Sequence, residues 1–313
     1  MTALHRIAVV DLGTNTFHLL VAEITGILQW TELERERIFV NLASEGIETI
    51  SEQAMQRGID AMRHFNARIR SFGIEEIVAV GTAALRTARN AGDFLTRVFD
   101  NTGIPVSVIS GNREAELIAK GVLSALPHIQ RPALIMDIGG GSVEMILTQD
   151  DEVLFSASYP VGVAVLYANF HHEEPIAGES LTKLDKHLKK TFSDLLERLA
   201  TMPDAVLVGA SGTFEVVESI LDPQKDEINP PYSTANPSRF SPIYREIVAL
   251  DLEARLAHPE IPNSRAKYIV VAVHLIEFML RQLSKDIFYI SAYAMKEGIV
   301  VEASVDLFKS VVD

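Results

Sequence analysis

The feature that most constrains this fold is a sequence pattern that occurs twice. The stretch AVVDLGTNTFHLLVAE at residues 8–23 aligns with LIMDIGGGSVEMILTQ at residues 134–149, which places Asp137 over Asp11 at an offset of 126 residues. Each copy has an apolar run, an aspartate, an apolar residue, a glycine, a small or polar turn and a second apolar run. The pattern predicts two strands joined by a tight turn in each copy, and hence a duplicated domain with two facing loops.

Glycines and small hydroxyl residues in these two turns point to an anion-binding site. Glycines let the main chain approach a phosphate closely, and N–H groups turned into one concavity form an anion-binding nest. The aspartates that precede the turns, Asp11 and Asp137, are suitable oxygen ligands for Mg²⁺, directly or through water. An isolated glycine cluster would often be only a hairpin turn, but two matching copies favour a ligand. The candidate phosphate-binding residues are Gly13, Thr14, Asn15, Thr16, Gly139, Gly140, Gly141 and Ser142.

Composition and charge narrow the classes of protein that fit. The 313 residues are 48% hydrophobic, which allows a substantial core and, at this length, about two domains. The chain has no cysteine, so a disulfide framework and a thiolate metal site are excluded. The formal charge of −14 argues against a general nucleic-acid coat, and no apolar run reaches the ~18 residues of a membrane span. Because no signal-peptide pattern precedes the first strand, we expect a cytoplasmic protein with neither a nucleic-acid nor a membrane partner.

Strand-like and helix-like segments alternate along the chain, which predicts an α/β fold. A helix is predicted to begin after Ser51, and another is predicted over residues 112–126. The spacing of apolar residues also predicts one helix over 180–200 and a long buried helix over 264–283. The polar, proline-rich stretch 222–242 is typical of a surface loop.

Five motifs follow one another along the chain. They are VVDLGTNTFHLLVAE, GTAALRTARNAGDFL, ISGNREAELIAKGV, MDIGGGSVEMILTQ and SAYAMKEGIVVE, spread from residue 7 to about residue 302. Together they resemble the exopolyphosphatase and guanosine pentaphosphate phosphatase family of the actin and sugar-kinase ATPase superfamily. The resemblance implies two similar actin-like (ribonuclease H-like) α/β domains with an active-site cleft between them, as in short members without further C-terminal helical domains. It places the first domain at 1–125, with a helix of about 295–313 packing back onto it, and the second at 126–294.

The resemblance also implies a reaction and its central residues. The family removes the terminal phosphate of polyphosphate or guanosine pentaphosphate by Mg²⁺-dependent hydrolysis. Its pattern Ser-Gly-x-Glu-Glu-Ala falls on residues 110–115, which makes Glu114 the catalytic glutamate that orients and deprotonates water. Without the motif, a first-turn acid that stabilises a helix N-terminus would be the better explanation. Asp137 matches the main metal-side acid and Asp11 a supporting one. Glu144 either holds the metal's water or a substrate-side cation, or is a solvated strand glutamate.

Other substrate contacts follow from the same resemblance. Arg86 matches a family arginine suited to phosphate oxygens, the alternative being an exposed helix arginine. Gly212 and Thr213 lie in the loop that, in nucleotide-binding relatives, is near the base or the distal substrate. Arg265 and Lys296 occupy basic family positions, and each alone is better explained as a surface charge.

Five positions depart from the family pattern, and one of them is Glu116, which stands where arginine is frequent. Arg113 stands where glutamate is frequent, His18 and Val165 stand where arginine is frequent, and Lys267 stands where aspartate is common. The predicted hydrolytic centre is intact, but fewer basic groups line the path of a long polyphosphate. Substrate preference, accepted chain length, domain closure and oligomeric state, a homodimer included, stay open.

Two other functional classes stay open as well. A sugar or acetate kinase of the same superfamily would also use twin phosphate loops, whereas the segment around Glu114 favours water as the acceptor. A non-catalytic sensor of guanosine tetra- or pentaphosphate would bind its nucleotide tightly without turnover. A zinc site is not favoured, because the histidines of FHHEEP at 170–175 resemble a solvated loop and no helix carries His-Glu-x-x-His.

Overall fold

The computed structural model describes residues 5–223, 231–284 and 286–309. The strands are β1 (His5–Leu12), β2 (Thr16–Gly26), β3 (Gln29–Phe39), β4 (Glu76–Gly81), β5 (Val106–Val108), β6 (Ala133–Ile138), β7 (Val143–Gln149), β8 (Glu152–Tyr159), β9 (Val206–Ala210), β10 (Tyr232–Ala235) and β11 (Phe288–Ser291). The helices are α1 (Glu52–Ser71), α2 (Ala83–Thr87), α3 (Ala91–Thr102), α4 (Gly111–Ala125), α5 (Val163–Phe170), α6 (Gly178–Thr191), α7 (Ser193–Leu199), α8 (Gly212–Leu221), α9 (Pro237–Ala249), α10 (Leu252–Leu256), α11 (Asn263–Ala266), α12 (Ile269–Leu280) and α13 (Met295–Lys309). The predicted α/β class is confirmed.

The described chain divides into two compact units. The first comprises the described residues up to Ser124, Gly139–Gly141, and those from Ala294 onward, and the second comprises Ala125–Ile138 and Ser142–Tyr293. Each unit has its own sheet and its own hydrophobic core. Across the described ranges, no helix combines the length and the apolar character that crossing a membrane requires.

The first unit is built on a five-stranded sheet with the order β3-β2-β1-β4-β5. Strands β1, β2 and β3 are antiparallel neighbours, whereas β4 runs parallel to β1 and β5 runs parallel to β4. The continuous apolar run at residues 7–10 of β1 is fully buried, as expected for a central strand covered on both faces. The edge strand β3 carries the run ELERER, and such charges oppose pairing of this edge with another strand.

The second sheet repeats this order as β8-β7-β6-β9-β11, with β10 added beyond β11. Its register also repeats, because Asp11 of β1 lies opposite His18 of β2, and Asp137 of β6 lies opposite Glu144 of β7. In each sheet the aspartate is at the carboxyl end of the strand that has an antiparallel neighbour on one side and a parallel neighbour on the other. Ligands of open α/β sheets bind outside the carboxyl ends of strands where the order reverses, so each sheet has a glycine turn next to such a position.

Helix α4 is held by a close glycine contact with α13 in the first unit. A Cβ atom at Gly298 would lie 1.8 Å from the main-chain oxygen of Leu117, and one at Gly121 would lie 2.0 Å from that of Ala294. Only glycine fits at both positions, since main-chain atoms on both sides leave no room for a side chain. This packing fixes the helix whose first turn carries Glu114.

Several local predictions are confirmed and others are wrong. Ser51 caps α1, with its hydroxyl accepting a hydrogen bond from the N–H of Ala54 at 3.4 Å. The surface loop predicted over 222–242 is wrong for residues 232–242, which form β10 and the start of α9; residues 224–230 lie outside the described ranges. Asn236 begins α9 by accepting a hydrogen bond from the N–H of Ser238 at 2.8 Å, so this polar residue is a helix cap.

The two longer predicted helices are each divided. The helix predicted over 180–200 is interrupted at Phe192, which separates α6 from α7. The ring of Phe192 is fully buried and meets Tyr159 edge-on at 4.8 Å, so tertiary packing accompanies the break. The buried helix predicted over 264–283 consists of the single turn α11 followed by α12.

Acid is expected to destabilise the second unit through His274. The hydroxyl of Tyr244 lies 2.9 Å from its Nδ1, and Asp185 Oδ1 lies 3.0 Å from its Nε2. Burial lowers the pKa of His274 below its ordinary value of 6.5, although Asp185 opposes the shift. Between the two pKa values the unfolded chain binds a proton at this histidine and the folded chain does not. The contribution of neutral His274 to the stability of the folded chain is therefore complete above pH 6.5 and is lost as the pH falls through the folded pKa.

Urea unfolding of the wild type and of His274→Gln, at about pH 7.5 and about pH 5.5, measures this effect. The wild type should lose more free energy of unfolding than the variant between these two conditions. Equal losses would show that His274 is not responsible. The other titrating groups are common to both proteins and cancel in the comparison.

Candidate active site

The first loop, residues 13–15, lies against Gly140 and Gly141, the glycines of the second loop that belong to the first unit. A Cβ atom at Gly140 would lie 2.8 Å from Asn15 Cγ and 2.9 Å from Thr14 Cβ. One at Gly141 would lie 3.0 Å from Thr14 Oγ1 and 2.9 Å from the Cβ of Ala83 in α2. The glycines are therefore needed for close approach, and the structure brings these predicted phosphate-binding residues together.

The first loop also carries two buried polar atoms that point to a ligand. Thr14 Oγ1 and Asn15 Oδ1 are buried, and neither has a hydrogen-bond partner in the part of the chain that the structure describes. The main-chain oxygens of the same two residues are hydrogen-bonded. Thr14 O accepts from Leu42 N–H at 2.8 Å, and Asn15 O accepts from Val40 N–H at 2.9 Å. Leaving a buried polar atom without a partner costs about 1–3 kcal/mol, so a rigid loop that presents two such atoms is suited to bind a polar group.

Glu114 and Arg86 form an ion pair in the same unit. Glu114 is 8% exposed in the first turn of α4, and its Oε2 accepts a hydrogen bond from Arg86 Nη1 at 2.6 Å. Arg86 also donates to the main-chain oxygen of Ile109 at 3.2 Å. The alternative of an exposed arginine is wrong, because the Arg86 side chain is only 22% exposed. The catalytic role of Glu114 stays a prediction.

In the second unit, Asp137 is oriented by a residue that the sequence did not identify. The hydroxyl of Ser211 donates to Asp137 Oδ1. Ser211 follows β9 and has φ 65° and ψ −178°, a positive-φ conformation that costs a residue with a side chain about 1–3 kcal/mol. It precedes α8 but makes no side-chain capping bond, so its hydroxyl serves Asp137 rather than the helix. Parallel pairing of β6 with β9 is what places these loops side by side.

Glu144 is buried rather than solvated. It is 1% exposed, and its Oε1 accepts hydrogen bonds from the hydroxyls of Ser142 and Ser158, both at 2.7 Å. The solvated-glutamate alternative is therefore wrong. Glu144 orients the Ser142 hydroxyl of the second loop, and its assignment to a metal stays a prediction.

Gly212 and Thr213 begin α8 and are covered by Arg265. A Cβ atom at Gly212 would lie 1.9 Å from Arg265 Nη2, and Arg265 Nη1 donates to Thr213 Oγ1 at 3.5 Å. The surface-charge explanation is wrong for Arg265, which packs on the predicted substrate loop, and for Lys296, which is 9% exposed. A basic residue 52 positions away from the loop cannot be paired with it from local sequence.

The predicted metal ligands are carboxylates of the kind that hold Mg²⁺ together with water. Among the described residues, no three or more His, Asp or Glu side chains group closely enough to form a metal cage. Mg²⁺ is usually held by one or two carboxylates together with water and substrate phosphates, so a cage is not required. Asp11 and Asp137 each offer a partly buried carboxylate at a strand end, which suits this mode of binding.

Three of the departures from the family pattern, Arg113, Glu116 and Lys267, take part in structural contacts. Arg113 pairs with Glu302 of α13 and with Glu116 at 3.2 Å. Lys267 Nζ lies 5.0 Å and 5.4 Å from the ring centroids of Tyr167 and Tyr268, a cation–π arrangement. His18 lies opposite Asp11 on β2, and Val165 is in α5.

Comparison with known sequences gives one family over nearly the whole chain. The pattern of the Ppx/GppA phosphatase family matches residues 21–306. The guanosine-5'-triphosphate,3'-diphosphate pyrophosphatase of Vibrio vulnificus is 28% identical over 302 residues, which cover 96% of this chain and 59% of the relative. The protein of the same name from Vibrio parahaemolyticus is 29% identical over 297 residues, which cover 94% of this chain and 58% of the relative. The chain thus spans less than two thirds of the length of these curated relatives.

Comparison with solved structures gives the same fold. An exopolyphosphatase from Cytophaga hutchinsonii has a TM-score of 0.92 and 31% identity, with 96% of this chain and 98% of that chain covered. A PPX-GPPA enzyme from Aquifex aeolicus has a TM-score of 0.80 and 23% identity, with 96% and 99% covered. At that lower identity the second match shows the fold alone. The predicted pair of actin-like α/β domains is confirmed.

Proposed function

The chain belongs to the Ppx/GppA phosphatase family, and we propose from this membership and from its site that it is a hydrolase of phosphoanhydride bonds. Its proposed substrates are polyphosphate and guanosine pentaphosphate, and it releases the terminal phosphate. The observation that carries the proposal is the first loop, which lies against glycines of the second loop and carries buried Thr14 Oγ1 and Asn15 Oδ1 without a hydrogen-bond partner among the described residues. The names of the relatives, an exopolyphosphatase and guanosine pentaphosphate pyrophosphatases, support the substrate class.

In the proposed reaction, Glu114 accepts a proton from water as the water oxygen bonds to the terminal phosphorus. The bond from this phosphorus to its bridging oxygen breaks, its electron pair stays on the shortened chain, and orthophosphate leaves. The Thr14 hydroxyl donates a hydrogen bond to the terminal phosphate, and Asn15 Oδ1 accepts one from water. Asp11 and Asp137 would hold Mg²⁺, which when bound supplies positive charge to the phosphoryl oxygens. A cytoplasmic location and a homodimer stay predictions.

Phosphate release by the purified protein tests this function. The protein is incubated with Mg²⁺ and, separately, short-chain polyphosphate, long-chain polyphosphate and guanosine pentaphosphate, without any phosphoryl acceptor other than water. Release from any of them supports the hydrolase and ranks its substrates. Release that appears only when a small-molecule acceptor is added would indicate a kinase, and tight nucleotide binding without release would indicate a sensor.

Replacing Gly140 with Ala is expected to weaken the grip on the terminal phosphate. The added Cβ would lie within 2.9 Å of atoms of Asn15 and Thr14, so the two loops must separate. Because a displacement of about 1 Å at positioning groups can cost up to about 10²-fold, we expect kcat/KM to fall by about 10- to 10²-fold. Gly92→Ala is the matched control, since a Cβ at Gly92 has open space around it. Initial rates over a range of substrate concentrations give kcat/KM for each variant. Equal kcat/KM for Gly140→Ala and Gly92→Ala would show that the contact between the two loops does not contribute to substrate binding.

A further inference from the structure

Arg86 and Glu114 contact each other, although the proposed reaction gives them separate roles. Arg86 would bind the substrate phosphate, and Glu114 would accept the proton of the attacking water. Their closest nitrogen and oxygen atoms are 2.6 Å apart, a length typical of a strong charge-assisted hydrogen bond. The Glu114 side chain is 11% exposed and the Arg86 side chain 22% exposed, so water screens the pair only weakly. The two side chains therefore hold each other firmly in the described structure.

This contact opposes both proposed roles. A carboxylate that accepts a hydrogen bond from a nearby cation is stabilised in its charged form and becomes a weaker proton acceptor. A general base works best when its affinity for a proton is matched to the operating pH. The same bond occupies an Arg86 donor that would otherwise be offered to phosphate oxygens. The pair as it stands describes a resting state.

Arg86 is placed where a bound phosphate could draw it away. It lies in α2, which directly follows the carboxyl end of β4. Ala83 of the same helix borders Gly141, at 2.9 Å from the position of a Cβ there, so α2 lies against the second loop. A phosphoryl group carries more charge and more acceptor oxygens than a carboxylate, and its geometry suits the planar guanidinium.

We propose that Arg86 and Glu114 form a latch that the terminal phosphate of the substrate opens. The phosphate takes the Arg86 guanidinium, and Glu114, relieved of its cationic partner, becomes able to accept the proton of the attacking water. Substrate binding thereby activates the base, and no activated base is present before a phosphate is bound. This inference rests on the proposed function and adds to it the order in which the two groups act.

The latch predicts an effect on binding that does not depend on turnover. In Glu114→Gln, Arg86 is held by a neutral amide, and a bond with one charged partner is about half as strong as one between two charged groups. Opening the latch then costs less, so a phosphate analogue should bind about five- to tenfold more tightly than to the wild type. In an Arg86→Gln background the latch is absent, and Glu114→Gln should change the affinity by less than about twofold.

The experiment is a double-mutant cycle by titration calorimetry on the full chain. The probe is methylenediphosphonate, whose P–C–P linkage cannot be hydrolysed. The proteins are the wild type, Glu114→Gln, Arg86→Gln and the double variant. Tighter binding by Glu114→Gln only when Arg86 is present supports the latch. Equal gains in both backgrounds would overturn it, because simple removal of a negative charge would then explain the result, and no gain in either background would overturn it as well.

Arg86→Gln leaves the buried Glu114 carboxylate without this partner and is the variant most exposed to misfolding. The double variant carries neither charge, so it provides the comparison if the single variant fails to fold. It should bind the probe at least about tenfold more weakly than Glu114→Gln, whereas equal affinity would overturn the latch. Phosphate release by the wild type without tighter binding in Glu114→Gln would remove the latch and leave the proposed function standing. Tighter binding by Glu114→Gln without any phosphate release by the wild type would support the latch and contradict the proposed hydrolysis.

Discussion

Replacing Glu114 with Gln is expected to lower the rate of phosphate release by about 10²- to 10⁴-fold, the range for loss of a general base. Glutamine keeps the shape of the side chain and its hydrogen bond to Arg86, but it cannot take a proton from water. The loss should therefore appear in kcat at saturating substrate. Initial rates with Mg²⁺ on the best substrate of the release assay measure it.

Glu116→Gln is the matched control for this variant. Glu116 lies on the same helix two residues away, its side chain is 58% exposed, and its pairing partner is Arg113 rather than Arg86. Exposed ion pairs of this kind contribute little to stability, so the fold should be retained and turnover should stay within about twofold of the wild type. If Glu114→Gln turned over as fast as Glu116→Gln, the assignment of the general base would be wrong. Circular dichroism of both variants checks that the fold is retained.

The scaffold of the site could be predicted because its signals are local. The repeated strand, aspartate and glycine turn give β1, β2, β6 and β7 directly, since apolar runs and turn residues act over a few neighbours. Ser51 gives the start of α1 for the same reason. The loop predicted over the proline-rich stretch 222–242 is wrong in its second part for two reasons. Asn and Pro also occur at helix starts, as Asn236 and Pro237 do in α9. Strand β10 depends on pairing with the distant β11.

The chemistry of the site could not be predicted in the same way because its contacts join distant residues. Arg86 meets Glu114 across 28 positions, and Ser211 meets Asp137 across 74. These pairs depend on which strands become neighbours in the sheets, which no short window of sequence records. The burial of a side chain also depends on which strands become neighbours. For this reason the sequence leaves a solvated Glu144 open, whereas the buried carboxylate accepts hydrogen bonds from two serines.

The duplicated scaffold also shows how its two copies diverged. His18 and Glu144 occupy the same register position, opposite Asp11 and Asp137 respectively. In the second copy, Glu144 accepts from Ser142 and so fixes a hydroxyl of its loop. In the first copy the loop is instead fixed by main-chain bonds from residues 40 and 42, which leaves the Thr14 and Asn15 side chains available to a ligand. The first loop is thus better suited to grip a substrate, whereas the second supplies the glycine surface against it.

Removing the Glu174 side chain is expected to be the most damaging change to stability that we predict outside the site. Arg255 is fully buried, and its Nη1 and Nη2 donate to the two carboxylate oxygens of Glu174 at 2.9 and 2.8 Å. Its other bonds go to the main-chain oxygens of Ala266 and Leu250, at 2.8 and 2.7 Å. Glu174→Ala removes the carboxylate that pairs with the buried guanidinium, and neutral carbonyls cannot replace its charge.

Breaking a buried ion pair costs about 3–5 kcal/mol, and we expect a loss of about 3 kcal/mol in free energy of unfolding, because Arg255 keeps its carbonyl partners and Glu174 is partly exposed. Urea unfolding followed by circular dichroism measures it. Glu179→Ala is the control, since Glu179 pairs with Lys183 at a similar distance of 2.8 Å but with both side chains mostly exposed to solvent. Loss of this pair should leave the unfolding midpoint unchanged. Equal midpoints for the two variants would mean that the pair with Arg255 adds nothing to stability. A double change, Glu174→Leu with Arg255→Met, should recover most of the loss, because it removes the buried charge together with its partner.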